Sequence, residues 1–372
     1  MDFSATPAQD DLRALTARIL ADRVTPERLR EIEAGEERFD RDLWAELAKA
    51  GVLSAALPEE AGGAGFGLLE QCSVLIEIGR AVAPVPYLPS IVLGAAAVAE
   101  FGTAQQLARW AEPAARGAVI LAAALAEDDS ENPSAPATTA HESDGGWRLT
   151  GTKTSVLAGT AADVLLVPAS TPSGVAVFLV TPGDPGVTVR AQQVTGGDAT
   201  ALVELAGAAV PADRVLGSIA AGRDIARWLA ARATVGLCAL QLGVTERALE
   251  LTAAYARSRE QFGKPIGSFQ AVSQRLADGY IDVEGIRLTL WQAAWRLASG
   301  LSAETEIATA KFWTADGGHR VGHTAVHVHG GVGIDMEGAV HRYFAAAMHN
   351  EFALGGATAQ LRRIGVVLAG DG

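Results

Sequence analysis

Cysteine is nearly missing: Cys72 and Cys238 are the only two in 372 residues. So sparse and distant a pair excludes a disulfide scaffold and a cysteine-rich metal centre, and it fits a reducing cytoplasm. Positive charge is also short. Lys and Arg total 30 against 43 Asp and Glu, a net charge of −13 that argues against a nucleic-acid surface or an anionic-membrane patch. Lysine occurs only at Lys49, Lys153, Lys264 and Lys311. Beside heavy Ala and Gly use, that arginine bias reads as codon composition and is assigned no function. Unbroken apolar runs of membrane-spanning length are lacking too. The most apolar long stretch, residues 81–101, is interrupted by Pro84, Pro86 and Pro89. The opening MDFSATPAQDDLRALTARIL has no basic segment followed by an apolar one, so no signal peptide and a soluble, cytoplasmic chain are expected. With 49% hydrophobic and 20% charged residues the chain is too apolar to be disordered. Its length leaves room for two or three domains of about 150 residues.

What is present is unevenly placed. Six of the 7 histidines, His319, His323, His327, His329, His341 and His349, fall near the C-terminus. His319, His323 and His327 follow at i, i+4, i+8 and could turn imidazoles to one helix face, as a metal site would require. No carboxylate or cysteine completes a ligand set at metal spacing, and His-Arg-Val-Gly-His is not a zincin motif, so no metal site is expected.

The patterning divides the chain in three. Residues 1–116 are helical in pattern, with Leu12, Leu15, Ile19 and Leu20 at helical spacing, a loop at Gly62, Gly63, Gly65 and Gly67, and an apolar helix over 68–81. Residues 117–217 carry short Val/Leu/Thr runs (AVILAAALA, GWRLTGTKTSV, ADVLLVPA, GVAVFLVTP) parted by turn residues, the signature of a small antiparallel β-sandwich or barrel. Within it, the polar stretch 130–146 reads as an exposed loop. Residues 218–372 return to helix, with long segments over 225–258, 269–300 and 303–326, a Gly330–Gly333 loop, and shorter helices over 340–348 and 357–368, a four-helix-type bundle. The expected class is an α+β multidomain protein: helical domain, β domain, helical bundle.

Four segments in this order resemble the acyl-CoA dehydrogenase family over nearly the whole chain. YARSREQFGKPIGSFQAVSQRLADGYIDVE (255–284) and HVHGGVGIDMEGAVHRYFAAA (327–347) are similar to its two C-terminal signatures. LPEEAGGAGFGLLE (57–70) resembles its N-terminal loop motif, and GWRLTGTKTSVLAGTAADVLLV (146–167) its middle-domain strands. The likeness is greatest to the atypical smaller subunits that actinobacteria pair with a second dehydrogenase subunit for sterol side-chain oxidation. The resemblance implies FAD in a cleft between β domain and bundle, completed by a neighbouring subunit. It further implies an acyl-CoA substrate, α,β-desaturation and an electron-transfer acceptor. It assigns Arg259, Phe262, His327, Gly330 and Gly331 to the portion reaching a neighbour's FAD. A guanidinium suits a pyrophosphate there, an aromatic can flank a ring, and glycines let backbone N–H groups come close. His327 stands where the family usually carries Gln and can still donate one hydrogen bond.

Other positions depart from the family. Where it has a Thr-Glu-Pro-Gly loop on the flavin, this chain has Ala126-Glu127-Asp128-Asp129-Ser130-Glu131, whose four carboxylates would repel a pyrophosphate. Where an aromatic and a Thr back the flavin, it has Ser155-Val156-Leu157. The reaction needs a desolvated carboxylate to take the α-proton. Gly356 occupies the expected Glu position, and the family's other base location falls on Ala231-Arg232-Ala233. No catalytic residue is therefore assigned. The expectation is a base-lacking partner that completes the FAD site of a second acyl-CoA dehydrogenase-like subunit carrying the Glu, and is inactive alone. Alternatives are a homotetrameric dehydrogenase with a relocated base, Glu351 being the nearest acid with Asp224, and a non-enzymatic scaffold or metal-binding helical protein.

Overall fold

The computed structural model describes residues 5–128, 130 and 132–370. Asp129 and Glu131, two of the four loop carboxylates, lie outside them. The first helices start where their caps dictate. α1 (Pro7–Arg23) opens with a capping box, the Gln9 N–H donating to Thr6 Oγ1 and the Thr6 N–H to Gln9 Oε1. α2 (Pro26–Ala34) is capped by Thr25 and α3 (Arg41–Lys49) by Asp40. α4 (Leu68–Ala81) follows the glycine loop and is buried along most of its length. The proline-interrupted stretch is helical after all. Tyr87–Ala95 winds with wide π-type turns into α5 (Ala96–Phe101), and Ile91, Val92, Leu93 and Ala95 are core residues. Two short helices, α6 (Ala104–Gln106) and α7 (Glu112–Ala115), end the region.

Seven strands then form one sheet in the order β1-β4-β2-β3-β7-β6, with β5 on β4. They are β1 (Leu121–Ala123), β2 (Thr139–Ser143), β3 (Gly146–Leu157), β4 (Val164–Thr171), β5 (Gly174–Val180), β6 (Val187–Gln192) and β7 (Thr200–Pro211). Most pairings are antiparallel, but β1 runs parallel to β4, and β2 meets β4 in parallel at Thr139 and Ser170. β2 lies inside the stretch expected to be a loop. Its only buried residue is Ala140, so too little apolar alternation marks it. One sheet face packs on the helices through Leu121, Leu166 and Leu179, while the other builds its own core around Trp147, Phe178 and Val203.

The bundle consists of α8 (Gly222–Ser258), α9 (Gln270–Ala298), α10 (Glu304–His329), α11 (Val340–Phe352) and α12 (Ala357–Gly370). α8 is long and apolar enough to cross a membrane by length and composition, but 72% of its apolar window is buried inside the protein. It touches α4 backbone to backbone. A Cβ on Gly79 would lie 2.1 Å from the Leu240 carbonyl oxygen, and one on Gly243 would lie 1.9 Å from that of Ile76. A buried polar chain ties α8 to its neighbours. Asn350 Nδ2 donates to Gln241 Oε1 (2.9 Å), and Lys311 Nζ donates to the Asn350 and Glu351 carbonyls (3.0 and 2.9 Å).

Candidate functional site

Two separate regions carry the residues in question. The first is an exposed edge where α8 and α10 end side by side, Tyr255 of one stacking on His329 of the other (4.4 Å between ring centres, 25° between planes). Arg259 caps α8, its N–H on the Tyr255 carbonyl. The chain then turns back in a hairpin, β8 (Glu260–Gln261) against β9 (Lys264–Pro265). Phe262 and Gly263 sit at the tip with φ of 55° and 78°, the two positive values of a type I′ turn. That conformation throws the Phe262 ring outward to 93% exposure, with only an edge contact to Phe269. Arg259 is exposed, and among the described residues it has no ion pair. His327, Gly330 and Gly331 lie at the neighbouring helix end, all exposed. Gly330 (φ 64°) terminates α10 in a conformation side chains avoid. At Gly331 an added Cβ would meet nothing within 4 Å, so the chain's own packing does not call for glycine there. The five residues singled out from sequence thus share one end of the bundle, turned to the outside.

The second region is a cavity of about 470 Å³ between all three parts of the chain. Ile78, Val82 and Leu88 form one wall, Leu237, Leu240 and Val244 of α8 a second, and Leu157 with the 194–199 segment a third. Its polar rim comes from Arg38, Asp198, His341, His349 and Asn350. Arg38 donates to the Gly197 carbonyl (3.0 Å), and His349 Nε2 stands 3.9 Å from Asp198 Oδ2. The two carboxylates on the lining are Glu33, ion-paired to Arg342, and Asp198; their side chains are 43% and 54% exposed. Neither is the desolvated group that proton abstraction requires.

The positions where a base was sought give none. Gly356 lies off the cavity lining, although a Cβ there would meet only ordinary contacts. Ala233 is buried and bears no acid. Glu351 is outside the cavity and bonded to His319 Nδ1 (2.8 Å), and Asp224 is an exposed partner of Arg227. Neither Glu351 nor Asp224 lines this cavity.

The cleft beside β3 corrects one expectation. Glu127 does not project charge toward a ligand. Its Oε1 accepts from Lys153 Nζ (2.7 Å) and from the Thr138 backbone N–H and hydroxyl (2.9 and 2.6 Å), and its Oε2 accepts from the Ala137 N–H. Burial pushes the Glu127 pKa up, but the Lys153 and Thr138 bonds outweigh it and hold the carboxyl below its usual range. Lys153 itself is completely buried. Next to this pair, the Gln192 amide closes over Thr154 and Ser155, its Oε1 accepting the Ser155 N–H at 2.8 Å.

The histidines divide by function of place. His329 is buried and bonded to the Ala325 carbonyl, and the exposed His319 and His323 rings meet at a tilt of 43°. His341 and His349 both line the cavity, and the His341 Nδ1 is buried with no hydrogen-bond partner among the described residues. Their i, i+8 spacing on α11 was a usable signal. Asp198 and Asn350 had none, since one lies in an irregular loop and the other in an alanine-rich helix. Among the described residues no group of three or more His, Cys, Asp or Glu side chains could hold a metal.

This arrangement, helices then a curled sheet then a bundle, around an apolar cavity and a glycine-bearing edge, belongs to a known class. Family models of the acyl-CoA dehydrogenase N-terminal, middle and C-terminal domains match residues 6–118, 122–210 and 220–368, and the chain is a member of that family of flavoprotein oxidoreductases. It is similar to acyl-CoA dehydrogenase FadE27 of Mycobacterium tuberculosis, with 54% identity covering 99% of both chains. Among solved structures it resembles a chain of the ChsE4–ChsE5 complex from the same organism (TM-score 0.95, 54% identity, 99% of each chain). It is also similar to a chain of the Tcur3481–Tcur3483 steroid acyl-CoA dehydrogenase (0.91, 41%, 98% of each).

Proposed function

We propose that this chain is the base-lacking subunit of a heteromeric, FAD-dependent acyl-CoA dehydrogenase working in the cytoplasm. The observation that carries the reading is the cavity wall, whose two carboxylates, Glu33 and Asp198, are half-exposed at the rim. A desaturation that begins with loss of the α-proton has no base there. The exposed edge supports the complementary role. Arg259 would meet the pyrophosphate of a neighbour's FAD, Phe262 would flank a ring, His327 would donate a hydrogen bond, and Gly330 and Gly331 would let the backbone approach. The exposure of these groups, with Arg259 lacking an ion pair among the described residues, suits a ligand held by another subunit. When bound, FAD supplies the hydride acceptor for the substrate β-carbon. The catalytic Glu, and with it proton abstraction, would belong to the partner. Likeness to chains of ChsE4–ChsE5 and of a steroid acyl-CoA dehydrogenase favours a sterol-derived acyl-CoA and a mixed tetramer. An electron-transfer protein would reoxidise the flavin.

The test is to purify the chain alone and with its co-encoded neighbour. The expected result is a colourless, inactive chain alone and a yellow, active complex. A yellow chain that desaturates acyl-CoA by itself would overturn the reading. Activity that then disappears in Glu351→Gln would identify the relocated base instead, and a complex whose flavin content ignores Arg259 would favour a scaffold.

A further inference from the structure

A second cavity, of about 440 Å³, lies between the 58–67 loop, the start of α4, the end of α5 and the first turns of α8. It shares no residue with the first cavity. Two polar groups in its wall are left unmatched. Arg232 lays its guanidinium over the Trp228 ring, 4.1 Å from the centroid, and its Nε is buried with no hydrogen-bond partner. Among the described residues no carboxylate comes within ion-pair distance of Arg232, and Glu100 at the mouth acts on it only through space. Gln71 is 1% exposed. Its amide nitrogen donates to the Ala56 carbonyl (3.0 Å), which fixes the amide orientation and leaves Oε1 as a buried acceptor without a donor. Such groups cost free energy unless something completes them. The mouth carries Glu59, Glu60 and Glu100, and Phe66 stands beside them at 41% exposure.

The wall thus asks for two opposite things. Arg232 calls for an anion, and Gln71 Oε1 for a donor. Three carboxylates at the mouth repel phosphates and other multivalent anions and favour a positive group. A single small molecule bearing one carboxylate and one ammonium meets all of these at once, with Trp228 and Phe66 available to its apolar body. We propose that this cavity binds a zwitterion of the amino-acid class, its carboxylate on the Arg232 guanidinium and its ammonium at the acidic mouth, on the side of Gln71. The site is independent of the flavin-related reading.

The experiment is calorimetric titration and thermal unfolding of the full chain, or of its complex, with L-leucine as zwitterion and with acetate and methylammonium as single-charge controls. L-Leucine should give saturable heat and raise Tm by a few degrees, and the controls should do neither at equal concentration. Arg232→Gln should weaken binding by about tenfold or more, the size of a lost charge-assisted bond. Glu60→Gln, at an exposed position of the mouth, should weaken it by a smaller factor. No heat and no Tm shift up to about 10 mM L-leucine, a tenfold excess over a millimolar Kd, would overturn the proposal. So would equal binding of acetate, or affinity unchanged in both variants.

Discussion

The outer edge and the inner cleft of this chain treat polar groups in opposite ways. At the edge, Arg259 has no ion pair among the described residues and Phe262 is almost wholly exposed. Beside β3, the buried Glu127 is bonded to Lys153 and Thr138, and even the exposed Ser155 has its N–H met by Gln192. A fold closes its own polar groups where it has nothing further to bind and leaves them open where another molecule will supply the partner. The proposed function uses the open groups of the edge, and the closed groups beside β3 serve the fold itself.

Breaking the buried pair should have the largest effect on stability. Lys153→Met strands Glu127 without its cation, a loss of about 3–5 kcal/mol. Urea unfolding of the chain should show it as a lower midpoint, whereas Arg259→Ala should leave that midpoint unchanged. The edge variant should act elsewhere. In the assembled complex Arg259→Ala should weaken flavin retention by about ten- to a hundredfold, read from flavin absorbance after dialysis. Gly331→Ala sharpens the contrast, because nothing among the described residues lies within 4 Å of the added Cβ: a normal Tm for the free chain and reduced flavin loading in the complex are expected. Acid should act on the interior before the edge. Arg28, by hydrogen bond, overcomes burial at Asp40 and lowers its pKa, as Lys153 does for Glu127. Their stabilisation is present above about pH 4.3, near the unfolded values, and is lost as pH falls through the depressed folded ones. Urea midpoints measured from pH 7 down to 3 should drop there, and less steeply in Glu127→Gln. The smallest effect belongs to the hairpin tip. Phe262→Asn suits a type I′ turn better and should stabilise the free chain by up to about 1 kcal/mol while weakening the complex.

The sequence made the helices legible wherever one face or the whole surface was apolar. α4 takes the expected bounds 68–81, and the long bundle helices differ from expectation only by a few residues at their ends. β2 escaped because a polar strand with one buried residue looks like a loop, and the parallel β1–β4 pairing escaped because strand direction leaves no trace in composition. The edge residues were readable as a group because each lies within a contiguous motif. The cavity was not, since α2, the 194–199 loop and α11 meet only after folding. Glu127 was misjudged because counting charges does not tell where they point; Lys153, 26 positions on, turns it inward.

The contact of α4 with α8 through Gly79 and Gly243 has a consequence for motion. Two helices that meet at their backbones and share one core cannot part without exposing it, so they move as a single rigid body. The parts of the first cavity's lining borne by α4 and α8 are therefore held to each other, whereas the segment 194–199 belongs to neither helix. That segment is fastened across the gap by the Arg38–Gly197 hydrogen bond and by the looser approach of His349 to Asp198. A bulky guest in this cavity would meet the joined helices on one side and this tethered segment on the other.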